Sequence, residues 1–242
     1  MTAFLPLERS TLYSPAWFVP FDDYAQRVRT AGVEVGLDRL DDGRWLPLDD
    51  RPVRTPSAAV TFPGLGRRSA ASAARPERHR ARFAAAGYQP LYPADGEPFS
   101  ADLVGIEFLV HPYDDTHPPA VEAAPRLVRL LPSVSFPYPP GLRTVHGFVR
   151  DAAASPVPVP VANALVEARG RMGDTEWHER TLSDASGAFR LALRWTGEKA
   201  DENAVEETFR LQATERPGRS GALVIRLPGD AGPHVIEIRE QS

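Results

Sequence analysis

Apolar and polar residues alternate along most of this chain. Val33, Val35 and Leu37 recur at every second position, which places them on one face of a strand. Asp41-Asp42-Gly43 reads as a turn, and Arg44-Trp45-Leu46 starts a return strand. Val60 and Phe62 lead into Pro63-Gly64, a second turn. His79, Ala81 and Phe83 alternate with Arg78, Arg80 and Arg82, the pattern of a half-exposed strand. Gly87-Tyr88 opens a short run to Leu91. Val104, Ile106, Phe108 and Val110 then alternate with Gly105, Glu107 and Leu109, and residues 126–131 form the last apolar run before proline takes over. Residues 1–20 are different. Phe4, Leu5, Leu7, Leu12, Tyr13, Trp17 and Phe18 are broken by Pro6, Pro15 and Pro20 and show neither the helix nor the strand period. At roughly 25 cal/mol per Å² of apolar surface left in water, this segment is expected to dock on its own domain or on a partner.

Residues 132–141, Pro-Ser-Val-Ser-Phe-Pro-Tyr-Pro-Pro-Gly, mark the clearest boundary. Proline at this density favours extended polyproline II geometry and a semi-rigid spacer. Beyond it the strand signals strengthen: residues 145–150, 161–168 and 175–182, then Phe189, Leu191 and Leu193, then Phe209, Leu211 and Ala213, then Leu223, Ile225 and Leu227, and finally Ile236 and Ile238. Asp184-Ala185-Ser186-Gly187 is a tight turn whose glycine is expected at positive φ. About seven short strands with turn signals every ~8–12 residues read as an all-β sandwich. The expected organisation is a proline-broken segment at 1–20, a divergent β-sandwich domain at 21–131, a Pro/Tyr-rich linker at 132–141 and a second β-sandwich domain at 142–242. The Ser/Ala tract at 69–74 is expected to be a flexible loop.

Composition agrees with this picture. Proline supplies 25 of 242 residues, about twice the usual ~5%, which disfavours a helical protein. Net charge is −4. The densest basic cluster, Arg67, Arg68, Arg75, Arg78, Arg80 and Arg82, reads as a solvated strand and loop, so no nucleic-acid partner is expected. The chain has no cysteine, which excludes disulfides, thiolate metal sites and cysteine nucleophiles. Lys199 is the only lysine, which excludes a Schiff-base lysine and a P-loop. No signal peptide and no apolar run of ~20 residues is visible, so a cytoplasmic location is expected, or a particle assembled there.

Residues 142–242 resemble a carboxypeptidase regulatory-like domain, a seven-stranded sandwich of the prealbumin-like class. The resemblance rests on Gly147-Phe148-Val149-Arg150-Asp151, on Pro160-Val161-Ala162-Asn163-Ala164-Leu165-Val166-Glu167, and on residues 181–191 with their Asp184–Gly187 turn and Phe189. The first half resembles a divergent second copy, from Val33-Glu34-Val35 to Ala86-Gly87-Tyr88, without the Asp-x-x-Gly turn. The fold class implied is all-β, two tandem prealbumin-like or Ig-like sandwiches joined by a proline-rich linker. In layout the chain also resembles cap and accessory proteins of phage-tail-like contractile injection systems.

Few groupings suggest chemistry. His111, Asp114, Asp115 and His117 fall within seven residues and include metal-ligating types, at a spacing that matches no standard motif and fits an exposed turn better. Asp22-Asp23 reads as a turn or cap. Gly-x-Ser-x-Gly is absent, and Gly64-Leu65-Gly66 lacks the context of a dinucleotide site. The intradiol dioxygenases of the prealbumin-like class hold iron with two tyrosines and two histidines; Tyr88, Tyr92, His111 and His117 fit that set poorly, because the better-matched half has no tyrosine after Tyr138. The chain is therefore expected to be a non-catalytic structural or assembly protein acting through other protein subunits, with no cofactor and no metal. Trp17, Phe18, Phe136 and Tyr138 are its expected contact residues. The alternatives are a module for carbohydrate or another small ligand, using Trp45, Trp177 or Trp195, and a metal-dependent enzyme built on residues 111–117.

Overall fold

A computed structural model describes residues 13–69, 75–119, 124–152, 158–172, 174–201, 204–230 and 232–241. Residues 1–12, most of the Ser/Ala tract at 69–74 and most of the loop at 152–160 lie outside these. The described regular structure is all β, with no helix. The strands are β1 (Trp17–Asp22), β2 (Arg27–Val28), β3 (Glu34–Asp41), β4 (Arg44–Leu48), β5 (Val53–Arg54), β6 (Val60–Thr61), β7 (Glu77–Ala84), β8 (Tyr88–Leu91), β9 (Ile106–Val110) and β10 (Pro125–Pro132). They continue with β11 (Thr144–Asp151), β12 (Val159–Pro160), β13 (Leu165–Met172), β14 (Thr175–Leu182), β15 (Ala188–Ala192), β16 (Glu207–Arg216), β17 (Arg219–Leu227) and β18 (His234–Glu240). No described helix is long and apolar enough to cross a membrane.

Two compact units form, and neither is a continuous stretch. One comprises Met1–Pro20, Arg29–Phe83 and Gly105–Leu127; the other Phe21–Val28, Ala84–Val104 and Val128–Ser242. The segment expected as a spacer, 132–141, falls inside the second unit.

In the first unit an antiparallel sheet runs β4-β3-β7-β9. The alternation read from the sequence decides its faces: His79, Ala81 and Phe83 point inward, while Arg78 and Arg82 remain exposed. The core is aromatic. Phe18 meets Phe83 and Phe108 edge-on, at centroid distances of 5.4 and 5.8 Å. Residues 17–20, read as aperiodic, form with Phe21 and Asp22 a strand in which Phe18, Pro20 and Asp22 are buried and their neighbours half-buried. Pro20 hides this period, because proline signals a break even where it tolerates an extended backbone.

The arginine-rich run in this unit is neutralised locally. Arg80 and Arg82 both bind the buried Asp38 carboxylate, at 2.7 and 2.8 Å. Burial pushes that carboxyl up, but the two guanidinium groups outweigh it and hold Asp38 below its usual range. Arg68 pairs with Glu77 and Arg67 with Asp115, both at 2.8 Å.

The second unit is built on a sheet ordered β12-β11-β18-β17-β16-β13-β14, with β15 also on β11. β17 and β18 pair only at Arg219↔Glu240 and Ser220↔Arg239. Inward residues from both sides of that seam share one core: Val145, Val149, Phe189, Ile236 and Ile238 with Val166, Trp177, Phe209, Leu211 and Ile225. The expected strand at 161–168 begins only at Leu165. Asn163 takes φ 55° and its N–H donates to the Ser183 carbonyl, so the chain turns there instead. The Asp184 turn forms as expected, its Oδ1 accepting the Ser186 and Ala188 N–H groups, with Gly187 at φ 76°.

Two measurements test these cores. Gly147 lies on β11 opposite both Phe189 and His234, and a Cβ there would sit 2.1 Å from the His234 carbonyl oxygen. Gly147→Ala is expected to cost about 1–3 kcal/mol, read as a lower urea midpoint. An unchanged midpoint contradicts this packing. His79, 1% exposed, has its imidazole pushed below the usual 6.5 by burial. Between that lowered value and 6.5 the unfolded chain binds more protons, so stability rises with pH across the window and is lost as pH falls through it. His79→Leu is expected to flatten the dependence of the urea midpoint on pH in that window.

Candidate functional site

The second unit holds a polar and aromatic cluster that includes two of the expected contact residues. β1 runs into a turn in which Asp22 Oδ1 accepts the N–H groups of Tyr24 and Ala25, at 3.1 and 2.9 Å. That turn directs Asp23 inward, where it is 5% exposed. Its carboxylate faces two guanidinium groups: Arg129 of β10 at 3.0 Å, and Arg180 of β14, whose Nε lies 3.1 Å from Oδ2. The Asp23 N–H also donates to the Leu130 carbonyl. Arg129 extends to Asp95 with a two-pronged pair at 2.8 and 2.6 Å, and this hydrogen-bonded pairing holds Asp95 below the usual carboxylate range.

Aromatic rings adjoin these ions. Phe136 packs against Tyr24, Tyr88 and Tyr138 at centroid distances of 5.2, 5.1 and 4.8 Å. Arg194 lies over the Tyr24 ring at 4.5 Å and binds Glu179 at 2.6 Å; Arg190 lies over the Tyr138 ring at 5.0 Å. Burial pushes the Tyr138 hydroxyl far above its usual 10, so it remains protonated.

The four expected contact residues separate into two pairs. Phe18, 2% exposed, and Phe136, 8% exposed, are core groups of their own units and present no surface. Trp17 and Tyr138 are half-buried. The sequence reads residues 21–24 only as a turn or cap, which they form, and does not single out Arg129 or Arg180. The only signal of the cluster is a pair of acids before a tyrosine and arginines at polar strand positions, which solvated residues share.

Neither a protein-family model nor a curated protein sequence matches the chain.

The other candidate residues have local explanations. Asp114 Oδ1 accepts from the N–H groups of Thr116 and His117 and lies 2.9 Å from His117 Nδ1, closing residues 114–117 into a turn. Both Asp115 carboxylate oxygens accept from Arg67 Nη2, at 2.8 and 2.9 Å. Among the described residues no group of three or more histidines and acids is placed to hold a metal ion. Trp177 is a core residue at 6% exposure, Trp195 packs on that core, and Trp45 lies beneath Arg80 at 4.5 Å. Glu167, also buried, meets His178 at 2.6 Å; burial raises its carboxyl, and the His178 and Arg169 partners outweigh that and hold it low.

Asp23→Asn leaves Arg129 and Arg180 without their shared charge and is expected to cost about 3–5 kcal/mol. Asp95→Asn, at an acid side chain 64% exposed, is expected to cost under about 1 kcal/mol. Equilibrium unfolding in urea reads both, and equal costs contradict the assignment of Asp23 as the buried centre.

Proposed function

We propose that this chain is a non-catalytic structural protein that acts through protein–protein contacts. Its place on this reading is as a cap or accessory component of a phage-tail-like contractile particle assembled in the cytoplasm. One observation carries the proposal. The buried carboxylates of Asp23, Asp38, Glu167 and Glu179 each close on arginine or histidine within their own unit, and that of Asp22 accepts from the Tyr88 hydroxyl and the N–H groups of Tyr24 and Ala25. Catalytic acids and bases need a partner-free face toward substrate and a pKa matched to their task. Acids closed on cations serve instead as struts between strands.

The resemblance of residues 142–242 to carboxypeptidase regulatory-like sandwiches, modules that recur as accessories, supports the same reading, as does the resemblance of the layout to that of particle cap proteins. With Phe18 and Phe136 internal, Trp17 and Tyr138 are the remaining contact candidates. Each is a half-buried aromatic, a residue type enriched where interfaces concentrate their binding energy.

An affinity pull-down of the tagged chain from its native lysate, with mass spectrometry, tests this. Sheath, tube or baseplate-like proteins are expected at comparable abundance, reduced by Trp17→Ala or Tyr138→Ala. Recovery of the chain alone contradicts the proposal.

A further inference from the structure

The seam between β17 and β18 leaves two strand edges at one groove. Arg210 and Gln212 of β16, Gly221 and Ala222 of β17, and Val235 and Glu237 of β18 line it, with neighbouring polar residues. β17 and β18 pair at Arg219↔Glu240 and Ser220↔Arg239, and the ladder stops there. Gly221 is where the strands part. A Cβ on it would lie 2.0 Å from the Glu237 carbonyl oxygen. That oxygen therefore rests against the glycine backbone, and the pairing does not reach Ala222.

The ladders decide which main-chain groups are left open. Alternate residues of an antiparallel strand turn their N–H and C=O groups to opposite sides. The Gln241 N–H donates to the Gly218 carbonyl at 2.7 Å, and Ser220 pairs with Arg239. Gly218 and Ser220 thus turn toward β18, and by the same alternation so do Ala222, Val224 and Arg226. Arg226 is closed off by Asp230, whose N–H donates to its carbonyl at 2.7 Å and whose carboxylate accepts its N–H at 2.6 Å. Ala222 and Val224 have no paired strand on that side. On β18 the Ile238 carbonyl accepts from the Ala152 N–H at 3.2 Å, which turns Ile238 and Ile236 toward β11 and Val235 toward β17. Ala222, Val224 and Val235 are all exposed. An exposed strand edge is a template for a further strand.

Charge selects among the strands that could be added. Arg210, Arg226 and Arg239 stand at exposed positions, and Glu237 is the only acid at the outward positions of residues 208–212, 222–226 and 235–239. Arg239 takes that acid at 2.6 Å. Arg210 and Arg226 make no ion pair among the described residues. Opposite charges on neighbouring strands attract and like charges repel, so a basic strand is disfavoured and an acidic one favoured. Acids on the outward side of such a strand meet the arginines, and apolar residues on its other side cover Leu223 and Leu227, which are only partly buried. We propose that the notch between β17 and β18 binds an extended, acidic segment of a partner protein, added as a strand against Ala222 and Val224. The proposal rests on the reading of the chain as one that acts through protein contacts, and it names a surface that neither Trp17 nor Tyr138 lines.

NMR titrations of the full chain with synthetic capped peptides test it. A peptide alternating valine with glutamate is expected to bind saturably and to slow hydrogen exchange at the Ala222 and Val224 amides, which exchange fast in the free chain. The same peptide with its amides N-methylated keeps its charge, cannot pair as a strand and is expected not to bind. A valine–lysine peptide is expected to bind about three- to tenfold more weakly, and Arg210→Glu, at an exposed position, to abolish that difference. Particle proteins captured by the tagged chain without any peptide binding would reject this surface alone. Peptide binding by a chain recovered alone from lysate would reject the particle and keep the surface. Absence of saturable binding, equal binding of the N-methylated peptide, or Ala222 and Val224 amides already protected in the free chain overturns the proposal. So does a concentration-dependent dimer in which those two amides are slowed, since a second copy then fills the notch.

Discussion

A carboxylate with almost no access to water has to be neutralised where it sits. For Asp23 the neutralising groups are Arg129 and Arg180, which stand on strands β10 and β14, far apart in sequence. The composition of the second unit depends on this. β14 belongs to the large sheet, whereas Asp23 and Arg129 come from segments before the proline-rich run. Once the carboxylate has both arginines, residues 21–28 and 128–132 are tied to that sheet. Apolar packing and hydrogen bonding complete the attachment. Leu91, Leu131, Leu165 and Leu182 form a separate buried cluster, and the Thr181 hydroxyl donates to the Pro132 carbonyl at 2.7 Å. Residues 132–141 are consequently anchored at both Pro132 and Phe136, and polyproline geometry alone does not make them a spacer between units.

The preference for arginine has the same origin. A guanidinium group binds a carboxylate through two parallel hydrogen bonds and lies flat on an aromatic ring, and an ammonium does neither as well. Both uses recur: the two-pronged pairs of Arg129 with Asp95 and of Arg194 with Glu179, and the stacking of Arg80, Arg190 and Arg194 on Trp45, Tyr138 and Tyr24. Lysine, present only at Lys199, would serve these positions poorly. Polar groups in both units are thus largely committed to holding strands together.

Legibility in the sequence followed the range of the interaction. Strands β7, β14 and β18 and the Asp184–Gly187 turn were readable, because a two-residue period and a turn glycine are local signals. β1 was hidden by Pro20, and the start of β13 by an apolar run at 161–164 that bends at Asn163. Contacts between distant residues left no comparable trace. Nothing beside Asp23 marks it as the partner of Arg129 and Arg180, and nothing beside Phe18 or Phe136 separates a core ring from an exposed one.

Native-state hydrogen exchange tests most directly whether the segments around Asp23 belong to the second unit's cooperative fold. The account predicts that the Asp23 amide and the amides of the β8–β10 ladder open with the same free energy as the core amides of β11 and β18, as members of one cooperative unit do. Exchange of the Asp23 and β10 amides at far lower free energy, with β11 and β18 still protected, would contradict it.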